Sequence, residues 1–138
     1  MSNARVARGV LGVLFGFGVF FAIIRMLSAF AGSLTDAPPA SYLFLSLAWT
    51  VAAAVLAGYI TARIAGSHEF PHAAAVGLLI IGLGFLSMRD EGASRPGWYQ
   101  ITLAGCGPIS AMIGAAIRVL TKPAQTANAK MSGAASRR

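Results

Sequence analysis

Four long apolar runs alternate with short polar segments along the chain. The runs cover 9–31, 41–62, 71–88 and 98–119. Each approaches the roughly 20 residues that a helix needs to cross the hydrocarbon core of a bilayer. The pattern predicts an all-α membrane protein, with one transmembrane domain over residues 1–120. The short connections favour an up-down-up-down bundle, in which helices adjacent in sequence are antiparallel neighbours.

The polar segments between the runs have the residues expected of loops. Pro38 and Pro39 separate the first two runs, and Arg89 to Gly97 separate the last two. Residues 121–138 are small, polar and basic, which is typical of a disordered tail. The N-terminus also resembles a secretory signal with an Ala29-Phe30-Ala31 cleavage site. Arg25 interrupts the apolar stretch of that signal, so we expect the segment to be retained.

Composition supports a bilayer environment. The 138-residue chain is 57% hydrophobic and only 11% charged, whereas soluble domains carry about 25% charged residues. The lipid bilayer is therefore the predicted surrounding, and the short loops leave no space for a soluble catalytic domain. The net charge of +7 is spread over helix ends and tails, where anionic headgroups would meet it. We therefore expect no nucleic-acid partner.

The distribution of basic residues predicts the orientation, since cytoplasmic loops are enriched in Lys and Arg. An N-in, C-in arrangement leaves only Arg89 and Arg95 outside and puts eight basic residues inside. Aromatic residues mark the same boundaries, with Tyr42, Trp98 and Tyr99 at the outer interface and Tyr59 near the inner one. We therefore predict both termini, including the tail, in the cytoplasm of a bacterium whose inner membrane holds the protein.

Small residues recur at helical spacing and predict where helices approach one another, because close contact in lipid relies on them. Such faces occur in every run, namely Gly9/Gly12/Gly16, Ala54/Gly58/Ala62, Ala73/Gly77/Gly84 and Gly107/Ala111/Ala115. A second face in the first run, Gly18/Ala22/Arg25/Ala29, predicts contacts on both sides and places this helix at the centre. Pro108 predicts a kink in the fourth helix. The faces fit packing within one monomer and also a homo-oligomer or larger complex.

The sequence His68-Glu69-Phe70-Pro71-His72 matches H-E-x-x-H, a pattern that binds zinc when both histidines share a helix face. Pro71 is expected to open the third helix, which would leave His68 before it. A third ligand is also lacking, so we predict no metal site and a solvated cytoplasmic turn. A pH-sensitive or partner-binding role for the histidine pair remains an alternative, because histidine titrates near neutral pH.

Arg25 is the one ionisable residue well inside a predicted span, which makes it a functional candidate. Three interpretations remain open. Its guanidinium could extend to the outer headgroups, it could pair with Asp36 or with a carbonyl freed near Pro108, or it could line a pathway for an anion or substrate. The runs contain few other polar residues. The hydroxyl-bearing Ser46, Thr50, Thr102 and Ser110 lie within them, and hydroxyls in membrane helices commonly bond to their own backbone one turn back.

The second run ends in Gly58-Tyr-Ile-Thr-Ala-Arg-Ile-Ala-Gly66. In this segment the chain resembles uncharacterised small four-helix bacterial inner-membrane proteins, and the resemblance implies a fold and a location. No catalytic, cofactor-binding or metal-binding residues are predicted. The leading hypothesis is a non-enzymatic helix-bundle subunit or scaffold of a membrane assembly. The alternative is a small oligomeric transporter or channel that uses Arg25 and the kinked fourth helix.

Overall fold

A computed structural model describes residues 3–31, 40–66, 68–91 and 95–121. It confirms the all-α class and the four predicted helices, α1 (Asn3–Ala31), α2 (Ala40–Ala65), α3 (Glu69–Glu91) and α4 (Gly97–Leu120). Asp36 and all of the predicted tail except Thr121 lie outside the described residues. All four helices are long and apolar enough to span a membrane. The chain is thus compatible with a multi-pass membrane protein.

Each helix extends beyond its apolar run, because a helix continues into polar sequence wherever its backbone bonds are kept. At the start of α3 this corrects a prediction. The helix begins at Glu69 rather than at Pro71. A proline two residues into a helix is still tolerated, since the first four N–H groups have no partner within the helix.

Helices adjacent in sequence are antiparallel and in contact, whereas α2 and α4 run parallel to each other. α2 and α4 make the most extensive contact, α1 packs on α2 and α3, and α3 packs on all three of its partners. Between the described parts of α1 and α4 there is no contact. We call the end with Asn3, Ala65, Glu69 and Leu120 the terminal end, and the end with Ala31, Ala40, Glu91 and Gly97 the far end.

The contact of α2 with α4 depends on two glycines that face the opposite backbone. A Cβ added at Gly58 would come within 3.0 Å of the Ala111 backbone, and one at Gly114 within 3.0 Å of the Val55 carbonyl. Real Cβ atoms do not approach so closely. The two helices therefore meet backbone to backbone, a close van der Waals contact of the kind that small residues allow between membrane helices.

Similar close contacts hold α1 and α3 against the α2–α4 pair. Gly12 and Gly16 of α1 lie against Thr61 of α2, whose hydroxyl donates to the Gly12 carbonyl at 3.1 Å. Gly77 of α3 lies against Pro108 of α4. The small-residue faces predicted for α2, α3 and α4 are confirmed as contacts, since Ala54, Ala62, Ala73, Ala111 and Ala115 are fully buried.

The predicted central position of α1 is wrong. Its first small-residue face packs on α2 and α3, but Gly18, Ala22, Arg25 and Ala29 are exposed. A Cβ added at Gly18 would meet nothing within 4 Å. The prediction failed because a helix face of small residues specifies close contact but not whether the partner belongs to the same chain.

We expect Gly58→Ala to lower the free energy of unfolding by about 1–3 kcal/mol, because the added methyl must push two backbones apart. Gly82→Ala is the matched control, since a Cβ at this exposed helical glycine meets nothing within 4 Å. Loss of helical circular dichroism in a denaturing detergent titration measures the free energy of unfolding of both variants. Equal stability of the two would show that α2 and α4 are not in backbone contact.

Candidate functional site

A cavity of about 350 Å³ lies between the four helices in the far-end half of the bundle. Small-molecule sites are commonly of about 300–1,000 Å³. We refer to it as the far-end cavity. All four helices and the segment just before α4 contribute to its wall. The lining residues are Phe21, Ile24, Arg25, Leu27 and Ser28 of α1, Tyr42, Ser46 and Thr50 of α2, Leu83, Leu86 and Ser87 of α3, Arg95 before α4, and Tyr99 and Leu103 of α4.

The position of this cavity follows from where the helices approach closely. The glycines whose added Cβ would come under 3.0 Å from a neighbour lie in the terminal half or the middle of the helices, namely Gly9, Gly16, Gly58, Gly77, Gly107 and Gly114. In the far half, large side chains separate the backbones. Because the described parts of α1 and α4 are not in contact, space remains between the four helices.

Two arginines give the far-end cavity a positive character. Arg25 comes from α1, and Arg95 immediately precedes α4. The Arg25 side chain is exposed and, within the described parts of the chain, has no hydrogen-bond or ion-pair partner. The Arg95 guanidinium carbon lies 5.7 Å from the centre of the Tyr99 ring, a distance typical of a cation–π contact. The described residues of the wall include no Asp or Glu.

Hydroxyl groups line the side of the cavity formed by α2 and α4. The Ser46 hydroxyl and the Tyr99 phenol are hydrogen-bonded at 2.9 Å and join the two helices. The Thr50 hydroxyl donates to the Ser46 carbonyl at 2.8 Å, one turn back. Tyr99 is only 1% exposed, so its ring is a fixed part of the wall.

The far-end cavity becomes apolar towards the middle of the bundle. A smaller space of about 80 Å³ adjoins it and shares Ile24, Thr50, Leu83, Ser87 and Leu103 with it. Phe20, Ile80 and Gly84 complete the lining of this inner space. The cavity therefore combines cationic and hydroxyl groups near the far end with aliphatic walls deeper inside.

The structure separates the residues that the sequence singled out. Arg25 lies at the far-end cavity, whereas Pro108 contacts Gly77 between α3 and α4 and is not part of the cavity wall. α4 continues through Pro108 as one helix. His68 and His72 lie at the terminal end, at the start of α3. These residues therefore form no common site.

The histidine turn has a geometry of its own. His68 precedes α3 with φ of 53°, in the left-handed region that few side chains adopt. Its carbonyl accepts a hydrogen bond of 2.7 Å from His72 Nδ1, and the opposite edge of the His72 ring faces Gly9 of α1. The pair thus closes the α2–α3 connection onto α1. No cluster of three or more potential metal ligands occurs among the described residues.

Two features of the sites were not recognised in the sequence. Glu69, expected in a solvated turn, is 5% exposed and lies in the first turn of α3, where the helix dipole favours a negative charge. Tyr99, interpreted as an interfacial aromatic, is buried and bonds to Ser46. The self-bonding expected of the hydroxyls is confirmed for Thr50 and Thr102. For Ser46 it is wrong, because a partner on another helix lies within reach.

Comparison with protein-family models, with curated proteins and with solved structures finds no match.

We expect Ser46→Ala and Tyr99→Phe to be coupled in a double-mutant cycle by about 0.5–1 kcal/mol of unfolding free energy, the range found for hydrogen bonds between membrane helices. Unfolding in a denaturing detergent series gives the free energies of unfolding of the wild type, the two single variants and the double variant. Thr102→Ala replaces Ser46→Ala in a control cycle, because the Thr102 hydroxyl bonds within its own helix. A coupling near zero in the first cycle would show that the α2–α4 hydrogen bond does not form.

Proposed function

We propose that the protein is a non-enzymatic subunit or scaffold of an assembly in a bacterial inner membrane. It contacts either further copies of itself or another membrane protein through the exposed face of α1. The observation that carries this proposal is the second small-residue face of α1. Gly18, Ala22 and Ala29 lie exposed at the side of the bundle, and Arg25, at the edge of this face, is exposed and also lines the far-end cavity.

The free-energy cost of a glycine on this face, where no other part of the same chain requires it, supports the proposal. A glycine in a helix interior is less favourable than alanine by about 1 kcal/mol, and Gly18 has no neighbour in the chain that requires it. A helix face that meets only lipid has no need of small residues, whereas a face that meets another helix does. Only 17% of the apolar window of α1 is buried, less than in the other three helices. The helix therefore has free surface for a partner.

We expect the wild-type protein to be isolated from mild detergent as a complex larger than the 14.2 kDa monomer, and Gly18→Leu to dissociate it. The larger side chain prevents a second helix from approaching α1. Gly82→Leu is the matched control, because Gly82 of α3 is also exposed and without a neighbour within 4 Å. Native mass spectrometry measures the stoichiometry. A monomer without any partner, in wild type and control alike, would contradict the proposal.

The orientation proposed from the basic residues is N-in and C-in, so that the terminal end is cytoplasmic. Arg8, Arg63 and Arg118 lie in helical turns at or near that end, whereas Arg89 and Arg95 lie at the far end. The positive-inside tendency counts charges near the ends of the spans. The far-end cavity would then open towards the outer surface.

This orientation predicts a labelling pattern for single cysteines introduced after Cys106→Ser. With an impermeant maleimide, Gly97→Cys should react in intact spheroplasts, and Asn3→Cys only after permeabilisation. Both positions are exposed, at opposite ends of the bundle. The reverse pattern would place the terminal end outside and overturn the proposed orientation.

The far-end cavity specifically favours a second candidate, a small oligomeric transporter or channel that uses Arg25. The cavity reaches Thr50, near the middle of α2. Beyond that point α2 and α4 are in backbone contact at Gly58 and Gly114. Transport would therefore require either separation of these two helices or a path between subunits, rather than a pore through one bundle.

A further inference from the structure

We propose that the far-end cavity binds an anionic amphiphile with a single acyl chain. Its carboxylate or phosphate lies at Arg25 and Arg95, and its chain extends into the inner space lined by Phe20, Ile80 and Leu83. This ligand site goes beyond the subunit function, because it is formed within one chain and requires no partner protein.

The charged groups identify the ligand's head. Arg25 lies on the wall of the cavity without a hydrogen-bond or ion-pair partner in the described chain. A guanidinium presents five donors in a planar fork that fits a carboxylate or phosphate. Arg95 adds a second positive charge to the wall, held over the Tyr99 ring. The described wall contains no acidic side chain that would neutralise Arg25.

The distribution of polar and apolar groups identifies the rest of the ligand. Hydroxyls of Tyr42, Ser28 and Ser46 lie in the wall together with the arginines, whereas the inner space is lined mainly by aliphatic and aromatic side chains. A small inorganic anion would leave these apolar walls without contact. An acyl chain covers them and makes van der Waals contact along their length.

The size of the cavity restricts the ligand to one chain. The outer part measures about 350 Å³ and the adjoining inner part about 80 Å³, which is in the range of sites for small molecules rather than for a complete two-chain lipid. A free fatty acid and a monoacyl phospholipid share the required chemistry, an anionic head on a single chain.

A photoactivatable fatty acid, with a diazirine midway along its chain, tests the proposal on the full-length protein in nanodiscs made from zwitterionic lipid. We expect it to cross-link to residues of the inner space, such as Leu83 or Leu103, as mapped by peptide mass spectrometry. Labelling there should fall about tenfold in Arg25→Gln, the effect of losing a hydrogen bond to a charged group. Arg25→Lys should retain most of it.

Two controls separate a specific site from general attraction at the membrane surface. Arg89→Gln removes an exposed arginine near the far end that is not part of the cavity wall, and it should leave labelling unchanged. The corresponding fatty alcohol probe should label the inner space weakly. Equal loss in Arg89→Gln and Arg25→Gln, or cross-links spread over the lipid-facing surface, would overturn the proposal.

Ser28→Trp tests the same site without changing charge. Ser28 is exposed, lines the cavity and bonds only to the Ile24 carbonyl of its own helix, so tryptophan should fill the mouth and leave the helix contacts intact. We expect labelling to disappear while the unfolding transition is kept, and persistent labelling at the inner space would contradict the site. Competition of the photoactivatable probe with unlabelled fatty acid, and separately with a monoacyl phosphatidylglycerol, then identifies which of these two ligands binds better.

The assembly proposal and the ligand-site proposal are tested by different variants. Gly18→Leu is expected to abolish the assembly and keep the labelling, whereas Ser28→Trp is expected to abolish the labelling and keep the assembly.

Discussion

The backbone contact between α2 and α4 is the constraint on which the rest of the structure depends. At Gly58 and Gly114 no side chain separates the two helices. In a bilayer, helices gain nothing hydrophobic by associating, so van der Waals contact and hydrogen bonds must hold them together. A contact this close provides both, because it also brings the Ser46 hydroxyl within 2.9 Å of the Tyr99 phenol. α1 and α3 then attach to this pair through Gly12, Gly16 and Gly77.

The same constraint explains why the bundle is closed at one end and open at the other. Glycines that permit close approach are concentrated in the terminal half and the middle of the helices. In the far half, the cavity is lined by the larger side chains of Phe21, Tyr42, Leu86 and Tyr99. Side chains of this size hold the backbones apart, and the absence of contact between the described parts of α1 and α4 leaves a space between them. An arginine without a partner in the described chain and a wall of hydroxyls are found in that space rather than in the closely packed half.

The sequence was sufficient for the features that depend on local pattern. Apolar runs predict four helices, and small residues at helical spacing predict the contact faces of α2, α3 and α4, because both signals are carried by each helix alone. Arg25 was identified as a candidate because charge is rare in a span. Features that depend on which helices meet were missed. The Tyr99–Ser46 hydrogen bond joins residues 53 positions apart, and the peripheral place of α1 depends on α2 and α4 being the closest pair. The burial of Glu69 likewise depends on how the α2–α3 turn folds back.

Cysteine accessibility along one face of α2 tests most directly the claim that the bundle is open in its far half and closed beyond it. Thr50 lines the far-end cavity, and Ala54, one turn further, is fully buried beside the α2–α4 contact. With Cys106→Ser as background, a small water-soluble thiol reagent should modify Thr50→Cys and leave Ala54→Cys unmodified in the folded protein. Modification of both positions, or of neither, would contradict this account.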